Sequence, residues 1–316
     1  MRLLFLIAVF TATEVLAQAF PSRPVKIVVP YPPGGGNDIM ARVIQPKLSA
    51  EWNQPLVVEN KPGAAGNLGA GEVARASADG YTLLMATSTI AMTPGLGQKV
   101  SYELEKDLSA VAMVGSTAMV IAVHPAVNAK SLPELIGLAR KEPGKLAYST
   151  CGNASPMHLA GELFKLTASI DLIHVPYKGC APALADVLGG QLPIAFNTIS
   201  NTAAYEKSGR IRILAVASGK RLAEFPNLPT ASEQGMTGYE ADIWFGLFAP
   251  SQTPWQLVNA LNAAVNRALA DPEVQHKMRS QYYEPHPGSA EEFGSFVKNE
   301  VTKWGRTIRD ANIKAD

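Results

Sequence analysis

Short apolar runs alternate with stretches whose apolar residues recur every three to four positions, almost from end to end of the chain. A short aliphatic run bounded by turn residues reads as a buried strand, and the 3.6-residue period reads as an amphipathic helix. The predicted strands are Val25–Val29, Leu56–Glu59, Tyr81–Ala86, Val111–Val114, Val120–Val123, Lys145–Ser149, Asp171–Val175, Leu192–Phe196, Ile213–Ala217 and Gly246–Ala249. Helical patterns lie between them, and a strand that follows a crossover helix pairs in parallel. The pattern therefore predicts an α/β fold with largely parallel sheets flanked by helices.

Helix starts are marked by capping chemistry. Ser131 with Glu134, Thr253 with Gln256, and Ser289 with Glu292 each fit a box in which side chain and backbone satisfy one another. Pro254 suits a first helical position. A helix is expected over Ile39–Leu48, and the last helix sets Phe293, Phe296, Val297, Val301, Trp304 and Ile308 along one stripe, a core-packing pattern. Two strand-like passages, Val111–Val123 and Glu240–Ala249, fall where a chain crosses between lobes and returns. They predict lobe one at residues 20–115 plus 245–316 and lobe two at 116–244, a division that suits a chain beyond the usual size of one core.

The N-terminus changes the expected compartment. Arg2 supplies a positive region, Leu3 to Phe10 an apolar stretch, and Ala17-Gln18-Ala19 a cleavage site, so residues 1–19 read as a signal peptide and the mature chain starts near Phe20. Hydrophobic residues at 47% and charged residues at 17% describe a well-packed globular protein. Twenty-eight basic against 27 acidic residues give a net charge of +1, which supplies none of the basic excess that nucleic acid or an anionic membrane surface demands. The two cysteines, Cys151 and Cys180, are a candidate disulfide in an oxidising compartment; two small buried thiols are the alternative reading.

Four loops follow predicted strands and precede helices, so they gather at the strands' carboxyl ends, where open α/β sheets bind ligands. The first, Tyr31 to Asp38, carries Gly34, Gly35 and Gly36, which leave backbone N–H groups uncovered at a helix N-terminus suited to an anion; Asn37 and Asp38 are expected to cap that helix. The second offers the hydroxyls of Thr87, Ser88 and Thr89. The third runs from Ser149 to Ser155, with Ser155 as helix cap, and the fourth holds Asn197. Asp38 is the one formal charge in the four, so recognition is expected to rest on backbone and hydroxyl dipoles without a cationic side chain. Trp244 and Phe245 sit at the return crossing, where Phe245 can stack on a ligand body and core packing is the alternative.

Enzyme signatures fail. Gly69, Gly71 and Ala74 loosely match a dinucleotide fingerprint, but the following strand ends at Ala86 without an acidic residue. There is no G-x-S-x-G, and Ser295-x-x-Lys298 lies inside the amphipathic last helix. Cys151, His158, His174 and Cys180 match no zinc spacing. A secreted hydrolase with Ser88 or Cys151 as nucleophile would have only His158 or His174 as its base.

Taken together, Val28–Asp38, Val58–Asn67, Asp79–Leu84, His158–Leu163, His174–Gly179 and Trp244–Leu247 resemble the motifs of tripartite tricarboxylate transporter solute receptors, the Bug proteins of bacteria. The resemblance runs from about Pro24 to the C-terminus. It implies a two-lobed fold of the periplasmic-binding-protein type, a monomer in the periplasm without cofactor or metal, which closes on a small carboxylate and hands it to a membrane permease. A sensory role with a membrane kinase is the alternative within that frame. Carried over by motif, the ligand set is Tyr31, Pro33, Gly34, Gly35, Asn37, Asp38, Ser88, Thr89, Thr150, Gly152 and Asn153, with Asn197 selecting the distal part and Phe245 beside it. Asn37 stands where Thr is common in the family. Because Asn197 replaces the acid found in amino-acid-binding members, a dicarboxylate or an aromatic carboxylate is expected.

Overall fold

The computed structural model describes residues 20–314, so the leader expected at residues 1–19 lies outside the described residues. From the N-terminus, β1 (Val25–Val29) leads into α1 (Gly36–Trp52), then β2 (Leu56–Asn60), α2 (Asn67–Ala74), β3 (Thr82–Thr87), the single turns α3 (Thr89–Met92) and α4 (Leu104–Asp107), and β4 (Leu108–Thr117). The chain then builds β5 (Met119–Val123), α5 (Leu132–Lys141), β6 (Ala147–Thr150), α6 (Pro156–Ala168), β7 (Ile173–Pro176), α7 (Cys180–Leu188), β8 (Ile194–Thr198), α8 (Ile199–Lys207) and β9 (Arg212–Val216). It ends with β10 (Ile243–Pro250), α9 (Trp255–Ala270), α10 (Pro272–Arg279), β11 (Glu284–Pro285) and α11 (Ala290–Asp310).

These strands form two sheets, ordered β11-β4-β10-β3-β1-β2 and β7-β6-β8-β5-β9. The chain changes sheet at Ala118 and returns between Val216 and Ile243. All ten predicted strands are present. The expectation of largely parallel sheets needs correction, however: β1 pairs in parallel with β2 and β3, and β6 with β7 and β8, whereas β10 and β5 run antiparallel to their neighbours. Crossover helices enforce the parallel pairs. A strand that enters a sheet from the other lobe has no such helix and is free to run the opposite way.

The first sheet is covered on both faces, which is why its strands read as continuous apolar runs. Met40, Ile44, Leu261, Val265 and Met278 from α1, α9 and α10 pack with Ile27, Val29, Met85 and Val114, while Ala70, Val73, Phe293 and Val297 from α2 and α11 pack with Val28, Leu84, Trp244 and Phe248. Glu300 on α11 is buried because it accepts the indole N–H groups of both Trp244 (3.0 Å) and Trp304 (2.9 Å) and pairs with Lys303.

Capping follows the sequence at some helices only. Ser289 and Glu292 close a full box at α11, Ser155 caps α6, and Ser131 caps α5 while Glu134 turns to the Lys130 amide. The box expected from Thr253 and Gln256 does not form: Pro254 is the cap residue of α9, and the Thr253 hydroxyl is buried without a partner.

Candidate functional site

The four loops leave the carboxyl ends of β1, β3, β6 and β8. Strand register ties two of them, those after β3 and β8, to the crossings: Thr87 lies opposite Phe245, Ile243 opposite Thr117, and Met119 opposite Thr198. The ends of β3 and β8 thus meet on either side of the Thr117–Met119 passage, and Asn153 in the third loop donates to the Lys314 carbonyl beyond α11 (3.0 Å).

Gly35 is the N-cap of α1, so the helix starts three residues before the predicted Ile39 and leaves the amides of Gly36, Asn37 and Asp38 without an intrahelical carbonyl. Pro33, Gly34 and Gly35 are exposed at the mouth of this turn, and Gly34 holds a φ of +84°, which favours glycine. Capping by Asn37 and Asp38 does not occur. The Asn37 amide reaches across to the Met85 carbonyl (2.8 Å), pinning α1 to β3. Asp38 points back to the Gly34 N–H (3.0 Å), takes Arg42 Nε on both oxygens (2.9 Å) and receives Asn60 Nδ2 (3.0 Å). Burial pushes its carboxyl up, but Arg42, the Gly34 amide and Asn60 together outweigh burial and hold it below the ordinary carboxylate range. The turn's one acid is therefore cancelled by a cation one helical turn later, and the helix terminus keeps its positive end. Spacing of i to i+4 was the available signal for this pair.

Tyr31 connects the first two loops: its hydroxyl meets Thr89 Oγ1 and the Ala65 carbonyl. Ser88 donates its backbone N–H to the Trp244 carbonyl (3.1 Å), as Thr87 does with its hydroxyl (2.8 Å). The Ser88 hydroxyl itself is fully buried and has no hydrogen-bond partner. Thr117, at the end of β4, also holds a buried hydroxyl without a partner, and nothing in the sequence marks it. Phe245 is 4% exposed, edge-on to Tyr283 at 5.6 Å, and lies against α1 so closely that a Cβ on Gly36 would come within 2.6 Å of its ring.

In the second lobe Cys151 and Cys180 are joined in a disulfide. Thr150 is fully buried, with its hydroxyl between the Gly152 carbonyl (3.2 Å) and His174 Nε2 (2.7 Å). The rings of His174 and His158 stack at 3.7 Å, and His158 Nδ1 accepts the Ala154 N–H (3.0 Å). Asn197 spends its carbonyl on the Thr198 N–H and on Asn201 Nδ2 (both 2.8 Å), fixing the turn into α8.

This arrangement offers hydrogen-bond donors and a helix end to an anion, and neither candidate nucleophile, Ser88 or Cys151, has a base. Cys151 has no free thiol, and the Ser88 hydroxyl touches no histidine. Among the described residues no group of three or more His, Cys, Asp or Glu is placed to hold a metal, and no helix is long and apolar enough to cross a membrane.

Two mixed sheets joined by two crossings define a two-lobed solute receptor of the periplasmic-binding-protein type. Solved structures with this fold include R. palustris Rpa4515 with adipate (33% identity, TM-score 0.79, 93% of this chain and 99% of that one) and MatC from Rhodopseudomonas palustris with bound malate (29%, 0.75, 92% and 100%). The Protein BugT of Bordetella pertussis is 34% identical over 99% of this chain and 98% of its own length. Residues 40–313 match the model of the tripartite tricarboxylate transporter family receptor, and the chain belongs to that family. It is a solute receptor and not an enzyme.

Proposed function

We propose that this receptor works in the periplasm, binds a small dicarboxylate or aromatic carboxylate, and delivers it as a monomer to a membrane permease of the tripartite tricarboxylate type. On this reading residues 1–19 are its cleaved signal peptide, and the two lobes hinge at the crossings. The observation that carries the reading is the first turn, where free first-turn amides of α1 stand beside an acid already neutralised by Arg42. A carboxylate placed there gains the helix end without meeting an uncompensated negative charge. The unpartnered Ser88 hydroxyl in the neighbouring loop supports a guest that completes its hydrogen bonding.

The ligand set consists of Tyr31, Pro33, Gly34, Gly35, Asn37, Asp38, Ser88 and Thr89 from the first lobe, Thr150, Gly152, Asn153 and Asn197 from the second, and Phe245 beneath them. Within it, Asp38, Asn37, Thr150 and Asn197 act through the backbone they orient, since their side chains already hold partners. Adipate and malate in the two relatives support a dicarboxylate over a larger acid.

A thermal-shift panel of dicarboxylates, aromatic acids and amino acids tests the reading. A ligand at a hundredfold excess over its Kd adds about 2.7 kcal/mol, worth a few degrees for a chain of this size. A panel in which no acid raises the midpoint refutes it.

A further inference from the structure

A hydrogen-bond chain that starts in a histidine runs into the third loop. Thr150 Oγ1 lies 2.7 Å from His174 Nε2 and 3.2 Å from the Gly152 carbonyl. A threonine hydroxyl has one proton, and the Gly152 carbonyl can only accept, so that proton goes to Gly152. His174 must then be the donor, which fixes its proton on Nε2. Its ring is held for this purpose: Tyr148 stacks on it at 5.1 Å and His158 at 3.7 Å. Burial and the neighbouring His158 push its pKa down to about 4, so the ring is neutral and its single N–H sits on the nitrogen that faces Thr150.

The far end of the chain is a glycine with φ of +148°, a conformation that favours glycine. The Gly152 carbonyl is turned inward to Thr150 and to the Ser155 N–H (3.3 Å). Because the peptide is planar and trans, the orientation of the Gly152–Asn153 unit is settled as a whole.

We propose that His174 and Thr150 are positioning residues that orient the Gly152–Asn153 peptide of the carboxylate site through a directed chain, His174 Nε2–H to Thr150 Oγ1–H to the Gly152 carbonyl. This rests on the reading of that loop as part of the carboxylate site. It adds His174 to the residues that determine affinity, acting through Thr150.

Affinity for adipate and malate is measured by titration calorimetry on the full mature chain and on the variants His174→Leu, Thr150→Val, their combination, and His174→Gln. Loss of a buried hydrogen bond in the chain weakens binding roughly tenfold in either single variant. The combined variant is no weaker than the singles, because both break one chain. His174→Gln, whose amide can donate from a similar place, recovers most of the affinity. Additive losses, roughly a hundredfold in the combined variant, overturn the proposal and assign each residue an independent structural role. Nitrogen-15 imidazole spectra of the ligand-free protein test the chain without any ligand: a proton on Nε2 of His174 supports it, and one on Nδ1 overturns it. If neither acid binds the unaltered protein while the proton sits on Nε2, the ligand reading fails and the chain stands.

Discussion

Asp242 opens the return crossing, one residue before β10, and its replacement by asparagine tests how the joint between the lobes is held. Its Oδ1 accepts the Met119 N–H from the outgoing crossing (3.3 Å) and the Ser218 hydroxyl from the returning chain (2.7 Å), so one carboxyl ties both passages together. It also lines a cavity of about 520 Å³ beside Glu240 and Lys303. Burial raises its pKa most, Glu240 adds to that, and the two hydrogen bonds and Lys303 pull it down; the balance leaves it at about 7, against an ordinary 3.8. A carboxyl with a raised folded pKa stabilises the fold fully below 3.8, loses that stabilisation as pH climbs toward 7, and loses no more above it. Three pKa units correspond to about 4 kcal/mol. Asp242 is half-buried, and screening by solvent brings the expected figure to roughly 2 kcal/mol. Asp242→Asn keeps an oxygen to accept from Met119 and Ser218 and removes the ionisation. Urea unfolding followed by tryptophan fluorescence between pH 4.5 and 8 should therefore show the variant more stable by about 2 kcal/mol at pH 8, with the advantage shrinking toward the acid end. An advantage that does not change with pH, or a variant less stable at pH 8, refutes the argument.

Ser88→Ala removes a buried hydroxyl without a partner, so the ligand-free protein is expected to gain about 1 kcal/mol, read as a higher melting midpoint, while affinity for a carboxylate falls. A loss of stability in the ligand-free form would show that Ser88 is satisfied in solution. Replacing Cys151 and Cys180 together by serine opens a loop of sequence separation 29, and chain-entropy reasoning puts the loss at about 3 to 4 kcal/mol, measured by urea unfolding against the oxidised protein. A loss well under 1 kcal/mol would mean that the backbone bonds from Tyr177 to Thr150 and from Gly179 to Cys151 already hold the two loops together.

Local pattern alone determined most of the elements of this protein. Ten apolar runs became ten strands, the α11 stripe became a packed helix, and the placing of the polar loops at strand ends followed, because burial on two faces and the 3.6-residue period are written in neighbouring residues. The sequence also determined that a glycine turn meets a helix N-terminus, while the helix itself begins at Gly36, three residues before the predicted Ile39. Tertiary structure decided the rest. β10 and β5 run antiparallel because the chain reaches them from the other lobe, a fact about path that no local pattern contains. Asp38 is a neutralised strut, since its charge is settled by Arg42 and Asn60, the latter 22 residues away. Thr150 and Asn197 carry the right chemistry for a ligand, yet their side chains are turned inward by His174 and by the Thr198 amide. Residue type sets what a side chain can donate or accept; only packing decides which partner reaches it first, because each proton and lone pair serves where the folded chain brings its complement.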